Sequence, residues 1–130
     1  MFKNTFHESG FLSLYYSLGS KPLQLWDVHP GPDGTIKEVI DEEIRSQCLE
    51  IVSENISTCY VVCPGVRERT LGIRLPYFQM VVKNLSNYFS FEIEVMDDKN
   101  TVRRFRASNF QTTTRCLDYI CVIPLRMEEG

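Results

Sequence analysis

Apolar and polar side chains alternate most regularly in one stretch of the second half of the chain. Four apolar residues there alternate with three polar ones: Phe89, Phe91, Ile93 and Val95 against Ser90, Glu92 and Glu94. A period of two is typical of a strand with one face on a core. The polar residues 97–100 interrupt the pattern, and a second extended run follows over residues 102–107. The two runs predict a β-hairpin with one apolar face and one charged face.

The register of this hairpin is predicted from the side chains that it brings opposite one another. A three-residue loop at residues 98–100 sets Ile93 opposite Phe105 on the apolar face. The same register places opposite charges across the strands on the other face: Glu92 with Arg106, and Glu94 with Arg104. A loop one residue shorter or longer would set Phe105 opposite a glutamate, because such a slip moves every side chain to the other face. Asn100 is predicted in the left-handed conformation that closes a type I turn with a bulge.

Shorter apolar runs recur along the rest of the chain, separated by turn residues. These runs predict further strands at residues 11–17, 23–28, 36–40, 48–52, 60–63, 71–75, 77–82 and 119–125. The best helix candidate is Asp41–Arg45, where Asp41 can cap a short turn. About eight short strands, with at most one or two short helical turns, are typical of a β-sandwich or barrel. We therefore expect a single all-β domain over residues 1–130, built as an antiparallel, jelly-roll-like β-sandwich.

Composition and charge narrow the functional classes. The chain has 130 residues, 43% of them hydrophobic, and a formal net charge of −3. These values suit one globular domain without overall attraction to nucleic acid or anionic membranes. No apolar run is long enough to span a membrane. The first residues, MFKNTF, lack the apolar core of a secretory signal, so we expect a reducing compartment in which the five cysteines stay free.

Candidate catalytic and metal-binding residues are few. Cys59 and Cys63 lie four positions apart, but no second pair has the spacing of zinc ligands. The two histidines, His7 and His29, lie far upstream of them. The sequence has no phosphate-binding glycine loop, nucleophile elbow or recognisable pair of catalytic acids. We therefore predict a non-enzymatic protein without a metal or cofactor, in which Cys59 and Cys63 are buried structural cysteines.

The densest basic stretch lies on and beside the predicted hairpin. It supplies five candidate partner-binding residues: Lys99, Arg103, Arg104, Arg106 and Arg115. In a purely structural interpretation, Arg104 and Arg106 only neutralise the glutamates opposite them. In the functional interpretation, Lys99, Arg103 and Arg115 remain in excess and form a docking surface for an acidic partner.

Several long sequence segments resemble those of one protein family. They are MFKNTF at 1–6, SGFLS at 9–13, GSKPLQLWD at 19–27, TLGIRLP at 70–76, and DDKN with RRFRASN within 97–109. These segments are ungapped and unusual in composition. Through them the whole chain resembles the cilia- and flagella-associated protein 20 family. Members of that family continue beyond the length of this chain. The resemblance therefore implies a β-sandwich that lacks its C-terminal strands.

The resemblance also implies a function, partners and locations. Family members are structural proteins at the inner junction of axonemal doublet microtubules, where the B-tubule closes onto the A-tubule, and they support cilium assembly and motility. The implied partners are tubulin of the doublet, the parkin co-regulated gene protein and other inner-junction proteins. The net charge and the lack of a long apolar run predict no membrane partner and disfavour nucleic acid. The implied locations are the axoneme of the cilium or flagellum, the basal body and the cytoskeleton, with the nucleus as a further one.

Two other functions stay open at the level of sequence. A ligand-binding β-sandwich module of the carbohydrate-binding type would use exposed aromatic side chains such as Trp26 or Tyr77. Nucleic-acid binding through the arginine-rich strand is the weaker alternative, given the net charge. Exposure distinguishes these functions. Aromatic side chains aligned on one concave face would favour the ligand module, whereas basic side chains spread over opposite edges, with no pocket, would favour a junction protein.

Overall fold

Eight β-strands make up the regular structure of the computed structural model, which describes residues 12–66 and 70–127. These residues contain no helix, so the expected all-β class is confirmed; none of them forms a helix of the length and apolarity needed to cross a membrane. The chain divides into two compact units, residues 1–79 and 80–130. The strands of the first unit are β1 (Asp27–His29), β2 (Thr35–Asp41), β3 (Ser46–Val52) and β4 (Tyr60–Val62). Those of the second unit are β5 (Ser90–Met96), β6 (Val102–Ser108), β7 (Arg115–Cys116) and β8 (Ile120–Pro124).

The first unit holds two antiparallel strand pairs, β1 with β4 and β2 with β3. Lys37 of β2 lies directly opposite Glu50 of β3, with 3.6 Å between Nζ and Oε1. His29 of β1 stacks on Tyr60 of β4, with 4.6 Å between the ring centroids. Such cross-strand contacts are the local units that stabilise a strand pair. The strands predicted at 36–40, 48–52 and 60–63 are therefore confirmed.

A turn, rather than a helix, joins β2 to β3. Oδ1 of Asp41 accepts hydrogen bonds from the backbone N–H groups of Glu43 at 2.9 Å and Ile44 at 3.2 Å. Asp41 thus caps this segment as predicted, but the helix candidate at 41–45 is wrong. Arg45 has a left-handed φ of 52°, which a right-handed helix does not accommodate, and β3 begins at the next residue.

The loop between β1 and β2 approaches Cys59 closely. Cys59 is 7% exposed and is one of two buried apolar side chains in the described residues. A Cβ atom at Gly34 would lie 2.6 Å from Sγ of Cys59, and it would also meet the carbonyl oxygen of Pro30. Position 34 therefore has no room for a side chain, because the backbone there lies against Cys59 and Pro30. Burial gives Cys59 the structural role predicted for it.

Four strands form one sheet in the second unit, in the order β5-β6-β8-β7. The loop at 98–100 connects β5 to β6, and Asn100 has the predicted left-handed φ, at 61°. The hairpin has the register predicted from its side chains: Ile93 opposite Phe105, Glu92 opposite Arg106, and Glu94 opposite Arg104. The sequence prediction of this element is confirmed in its extent, its turn and its pairing.

One pairing of this sheet is parallel and departs from the expected antiparallel pattern. Strand β8 runs alongside β6 in the same direction, with Phe105 next to Cys121, and it pairs antiparallel with the edge strand β7. The prediction at 119–125 is confirmed by β8, whereas β7 was not predicted. Ala107 and Ser108 of β6 are 8% and 1% exposed. The buried part of this unit thus lies where β6 is flanked by strands on both sides.

Residues 70–89 contain no strand, although the sequence predicts two there, at 71–75 and 77–82. Tyr77 is 91% exposed and Val81 is 79% exposed, so the second segment is not a buried strand. These predictions are wrong because a strand needs a hydrogen-bonded neighbour, and none of the described residues supplies one to this segment. The run predicted at 11–17 also forms no strand over residues 12–17.

Asn109 holds the chain in place where it enters β5. Its Oδ1 accepts a hydrogen bond from the backbone N–H of Phe89 at 2.9 Å, and its Nδ2 donates to the carbonyl oxygen of Asn87 at 2.7 Å. Its own backbone N–H donates to the carbonyl oxygen of Phe89 at 3.3 Å. One side chain therefore extends the pairing of the two strands beyond the end of the hairpin ladder.

Candidate partner-binding surface

The five predicted basic residues do not lie on one face of the second unit's sheet. Side chains alternate between faces along a strand, so Arg104 and Arg106 belong to one face of β6 and Arg103 to the other. Arg115 of β7 lies in the same cross-strand row as Arg106, because both pair with Val122 of the intervening β8. The structure therefore brings three of the five arginine and lysine candidates together on one face: Arg104, Arg106 and Arg115.

Arg104 and Arg106 form ion pairs with the glutamates of β5. Nη2 of Arg106 lies 2.7 Å from Oε2 of Glu92, and Nε of Arg104 lies 3.0 Å from Oε1 of Glu94. Nε of Arg104 is also 3.7 Å from Oε1 of Glu92. These are the cross-strand pairs predicted from the sequence, and exposed pairs of this kind contribute about 0.2–1 kcal/mol each. Two of the three positive charges on this face are thereby balanced within the hairpin itself.

Arg103 was predicted to be one of the excess cations, but in the structure it is paired with Asp97. Its Nε donates a hydrogen bond to Oδ2 of Asp97 at 3.1 Å, and its Nη1 donates to the carbonyl oxygen of Asp118 at 3.2 Å. The prediction is wrong because it treats Asp97 as a turn residue only, and the second oxygen of that carboxylate is within reach of Arg103. The guanidinium thus connects the hairpin turn to the loop between β7 and β8.

Lys99 and Arg115 are the exposed cations among the five candidates that keep their charge unpaired. Neither takes part in an ion pair within residues 12–66 and 70–127. Lys99 lies at the tip of the β5–β6 hairpin, whereas Arg115 begins the edge strand β7 on the other side of the sheet. The free positive charge is therefore distributed over separate parts of the unit, not concentrated in one patch.

Acidic residues are concentrated in the first unit. Residues 1–79 carry ten aspartates and glutamates against seven lysines and arginines, whereas residues 80–130 carry seven of each kind. The net charge of −3 thus arises entirely in the first unit, and the second unit is neutral. An acidic partner is repelled less by the second unit, where the unpaired cations also lie.

Asp97 organises the turn of the β5–β6 hairpin. Its Oδ1 accepts hydrogen bonds from the backbone N–H groups of Thr101 at 2.8 Å and Lys99 at 2.9 Å, while Oδ2 binds Arg103. The bond from Thr101 above all, together with those from Lys99 and Arg103, holds the pKa of the Asp97 carboxyl below its ordinary value of 3.8. The carboxylate is therefore stabilised in its ionised form by the folded hairpin.

Removing the charge of Asp97 is expected to change how stability depends on pH. A pKa lowered by folding means that the carboxylate stabilises the fold above its unfolded pKa, and that this contribution is lost as the pH falls through the folded pKa. Asp97→Asn keeps an oxygen for the two backbone N–H groups but carries no charge. We expect its thermal midpoint to be lower than that of the parent at neutral pH, and to fall less steeply between about pH 5 and pH 3. Circular dichroism melts at each pH measure this difference.

The neighbouring Asp98 provides the control for that experiment. Its carboxylate makes no hydrogen bond or ion pair within the described residues, so Asp98→Asn should follow the pH profile of the parent chain. If Asp97→Asn follows the parent profile as well, the hydrogen bonds of the Asp97 carboxylate do not contribute to stability.

The two aromatic residues named as candidates for a ligand platform, Trp26 and Tyr77, do not form one exposed surface on a strand. The indole Nε1 of Trp26 donates a hydrogen bond to the carbonyl oxygen of Leu14 at 2.8 Å, and its side chain is half-buried. Tyr77 is exposed but belongs to no strand. In the part of the chain that the structure describes, no group of three or more His, Cys, Asp or Glu side chains is placed to hold a metal ion. The geometry thus gives no specific support to the ligand-module alternative.

Similarity to known proteins extends over both units. The family model of the CFA20 domain matches residues 1–130, which is the whole chain. The chain belongs to the CFA20 domain family. The family assignment predicted from the sequence segments is thereby confirmed.

Three curated relatives of this CFA20 domain chain carry the name cilia- and flagella-associated protein 20. Those of Caenorhabditis briggsae, Caenorhabditis elegans and Chlamydomonas reinhardtii are 56%, 55% and 53% identical to it over 130 residues. The matched region is 100% of this chain in each case, but 63%, 63% and 67% of the respective relatives. The chain therefore spans about two thirds of the length of the curated relatives it matches.

Proposed function

We propose that this chain is a non-enzymatic structural protein of the cilium or flagellum, placed at the inner junction of axonemal doublet microtubules. The observation that carries the proposal is the 53–56% identity over all 130 residues to proteins named cilia- and flagella-associated protein 20. At the junction the protein links the B-tubule to the A-tubule and supports cilium assembly and motility. Its neighbours there are tubulin, the parkin co-regulated gene protein and other inner-junction proteins, and the basal body and cytoskeleton are further sites.

The charge distribution of the second unit is compatible with attachment through several shallow contacts. Lys99 and Arg115 offer unpaired charge at two separate places, and Arg104 and Arg106 lie between them with their glutamates. The exposed tails of tubulin are acidic. We therefore expect them to bind at the unpaired cations of the neutral second unit, where electrostatic repulsion is weakest. Each exposed contact contributes only about 0.2–1 kcal/mol, so attachment needs several of them. Single substitutions should therefore have small effects.

Reversing both unpaired cations is expected to weaken binding to doublet microtubules. The variant Lys99→Glu with Arg115→Glu removes two attractive contacts and introduces repulsion in their place, while leaving the bonds of Arg103 intact. We expect an affinity about tenfold lower, which corresponds to roughly 1.4 kcal/mol, the order of two exposed ion contacts. Co-sedimentation of the purified chain with doublet microtubules measures it, and added salt should reduce the difference by screening.

A matched double reversal in the first unit is the control for this experiment. Lys21 and Arg74 are exposed, and Lys21→Glu with Arg74→Glu changes the net charge by the same amount. If both double variants lose affinity equally, net charge rather than this surface governs binding. If neither loses affinity, Lys99 and Arg115 are not contact residues. The role itself is tested separately, by a tagged chain in ciliated cells; a chain that stays outside the axoneme overturns the proposed function.

A further inference from the structure

Two free cysteines lie side by side at the edge of the second unit's sheet. Cys116 of β7 is the direct cross-strand partner of Cys121 of β8, and their Sγ atoms are 2.7 Å apart. Both are free thiols, and Cys116 is exposed while Cys121 is half-buried. No other pair of cysteines in the described residues makes a sulfur–sulfur contact. The two thiols thus form a distinct dithiol at a solvent-accessible position.

The hydrogen bonding of the hairpin explains why these thiols meet. The backbone N–H of Leu117 donates to the carbonyl oxygen of Ile120 at 2.8 Å, so these two residues form the hydrogen-bonded pair that closes the turn. Hydrogen-bonded and non-hydrogen-bonded pairs alternate along an antiparallel ladder. Cys116 and Cys121 therefore occupy a non-hydrogen-bonded pair, in which the Cα atoms are about 4.5 Å apart and the side chains are closest. Disulfides span Cα distances of about 4.4–6.8 Å, so the spacing typical of such a pair lies within the range that a disulfide bridges.

The surroundings of the dithiol leave it open to small molecules. Cys121 borders a surface depression that is also lined by Arg103, Arg104 and Tyr119. The hydrogen bond with the Cys116 thiol, more than burial, raises the pKa of Cys121 above its ordinary value. A raised pKa lowers the thiolate fraction of Cys121 at neutral pH, so we expect oxidation of the pair to become faster as the pH rises.

We propose that Cys116 and Cys121 are a redox modification site, which low-molecular-weight disulfides such as glutathione disulfide convert into an intrachain disulfide. The exposed Cys116 loses its proton and attacks one sulfur of glutathione disulfide, which releases one glutathione and leaves a mixed disulfide. Cys121 then loses its proton and attacks the Cys116 sulfur, which releases the second glutathione. Two thiols of the chain are oxidised and one glutathione disulfide is reduced to two glutathiones. The site depends on this hairpin alone and not on the proposed junction role.

The other three cysteines provide the contrast. Cys59 is buried, and Cys48 and Cys63 are half-buried, with burial raising the pKa of Cys63. None of them has a second thiol in contact to complete an intrachain disulfide within the described residues. We therefore expect glutathione disulfide to oxidise the Cys116–Cys121 pair before it modifies the remaining thiols.

Peptide mass spectrometry tests the site directly, because one tryptic peptide carries both cysteines. Cleavage after Arg115 and Arg126 releases residues 116–126, which contain Cys116 and Cys121 and no other cysteine. The native chain is incubated with graded glutathione disulfide, alkylated with iodoacetamide and digested. We expect this peptide to become two hydrogens lighter and to carry no alkyl group. A peptide that keeps two alkyl groups, gains two glutathiones or links two chains overturns the proposal.

Two single variants measure how far the geometry favours the internal bond. Cys121→Ser and Cys116→Ser each leave one thiol, which can only form a mixed disulfide with glutathione. We expect half-oxidation of the parent pair at a glutathione disulfide concentration at least about tenfold lower than half-modification of either variant, because the second step is intramolecular. This advantage should shrink in urea that unfolds the chain. If the unfolded chain keeps it in full, closeness in sequence rather than the folded register brings the thiols together, and the proposal fails.

Discussion

Gly34→Ala is expected to destabilise the first unit strongly. The new Cβ atom would lie 2.6 Å from Sγ and 2.9 Å from Cβ of Cys59, and against the backbone carbonyl of Pro30. Cys59 is 7% exposed, so its side chain cannot move aside without disturbing its own packing. Overpacking of this kind costs typically about 1–3 kcal/mol, and contact with rigid backbone places Gly34→Ala at about 3 kcal/mol. Urea unfolding followed by circular dichroism measures the loss.

Gly19→Ala is the matched control, because it makes the same chemical change with little steric conflict. A Cβ atom at Gly19 would meet only Tyr16, at 3.3 Å, through a ring carbon and the carbonyl oxygen. Alanine also reduces the entropy of the unfolded chain, which offsets part of any strain by about 0.4–1 kcal/mol. We expect Gly19→Ala to stay within about 1 kcal/mol of the parent chain. Equal unfolding free energies for the Gly34 variant and the parent would show that the loop does not pack against Cys59.

Asn109→Ala should give the second largest loss of stability, this time in the second unit. The substitution removes the hydrogen bond from the N–H of Phe89 and the bond to the carbonyl of Asn87, both shorter than 3 Å. Each side-chain hydrogen bond contributes about 0.5–1.5 kcal/mol, so the variant should lose about 2 kcal/mol. The exchange of the Phe89 amide proton should also become faster, because the backbone at the start of β5 loses its partner.

A graded variant separates the two hydrogen bonds of Asn109. Asn109→Asp keeps an oxygen that can accept from Phe89 but loses the donor to Asn87, so its loss should be about half that of Asn109→Ala. Amide exchange at Phe89 should stay slow in the aspartate variant and become fast in the alanine variant. If the two variants unfold at the same urea concentration as the parent, the side-chain hydrogen bonds of Asn109 contribute nothing to the stability of the sheet.

Local interactions made the β5–β6 hairpin predictable in full. Its turn residues, its alternation and its charge pairs all lie within one continuous stretch, and the two alternative loop lengths set Phe105 against a glutamate. The strands of the β2–β3 pair were predictable for the same reason, since their apolar runs are short and bounded by turn residues. The helix candidate at 41–45 failed because the N-cap signal of Asp41 is shared by helices and turns.

Non-local pairing set the limit of the sequence prediction. The apolar run at 77–82 has the composition of a strand, but strand formation depends on a neighbour that composition does not specify. The parallel alignment of β8 with β6 and the two-residue strand β7 also depend on segments that are distant in sequence or very short. The sequence thus identified β5, β6 and β8 and the pairing of β5 with β6, but neither β7 nor the parallel pairing of β8 with β6.

The ion pairing of the candidate basic residues was predictable only in part. The pairing of Arg104 and Arg106 follows from the hairpin register, and both are paired as expected. The role of Arg103 depends on the rotamer of Asp97 and on the position of the Asp118 carbonyl, which no sequence pattern encodes. The contact between Cys116 and Cys121 was missed because Asp118-Tyr119 is not one of the glycine-containing turns that signal a two-residue hairpin loop.

The parallel contact between β6 and β8 has a consequence for the order in which the second unit assembles. The β5–β6 hairpin closes a connection of five residues, 97–101, and hairpins of that kind form in about 1–10 μs. The β7–β8 hairpin closes over an even shorter connection. Joining β6 to β8 requires the longer connection through residues 109–119 to be ordered first, and that ordering lowers the rate of non-local pairing. We therefore expect the β6–β8 pairing to form after the β5–β6 hairpin, because it depends on closing the longer connection.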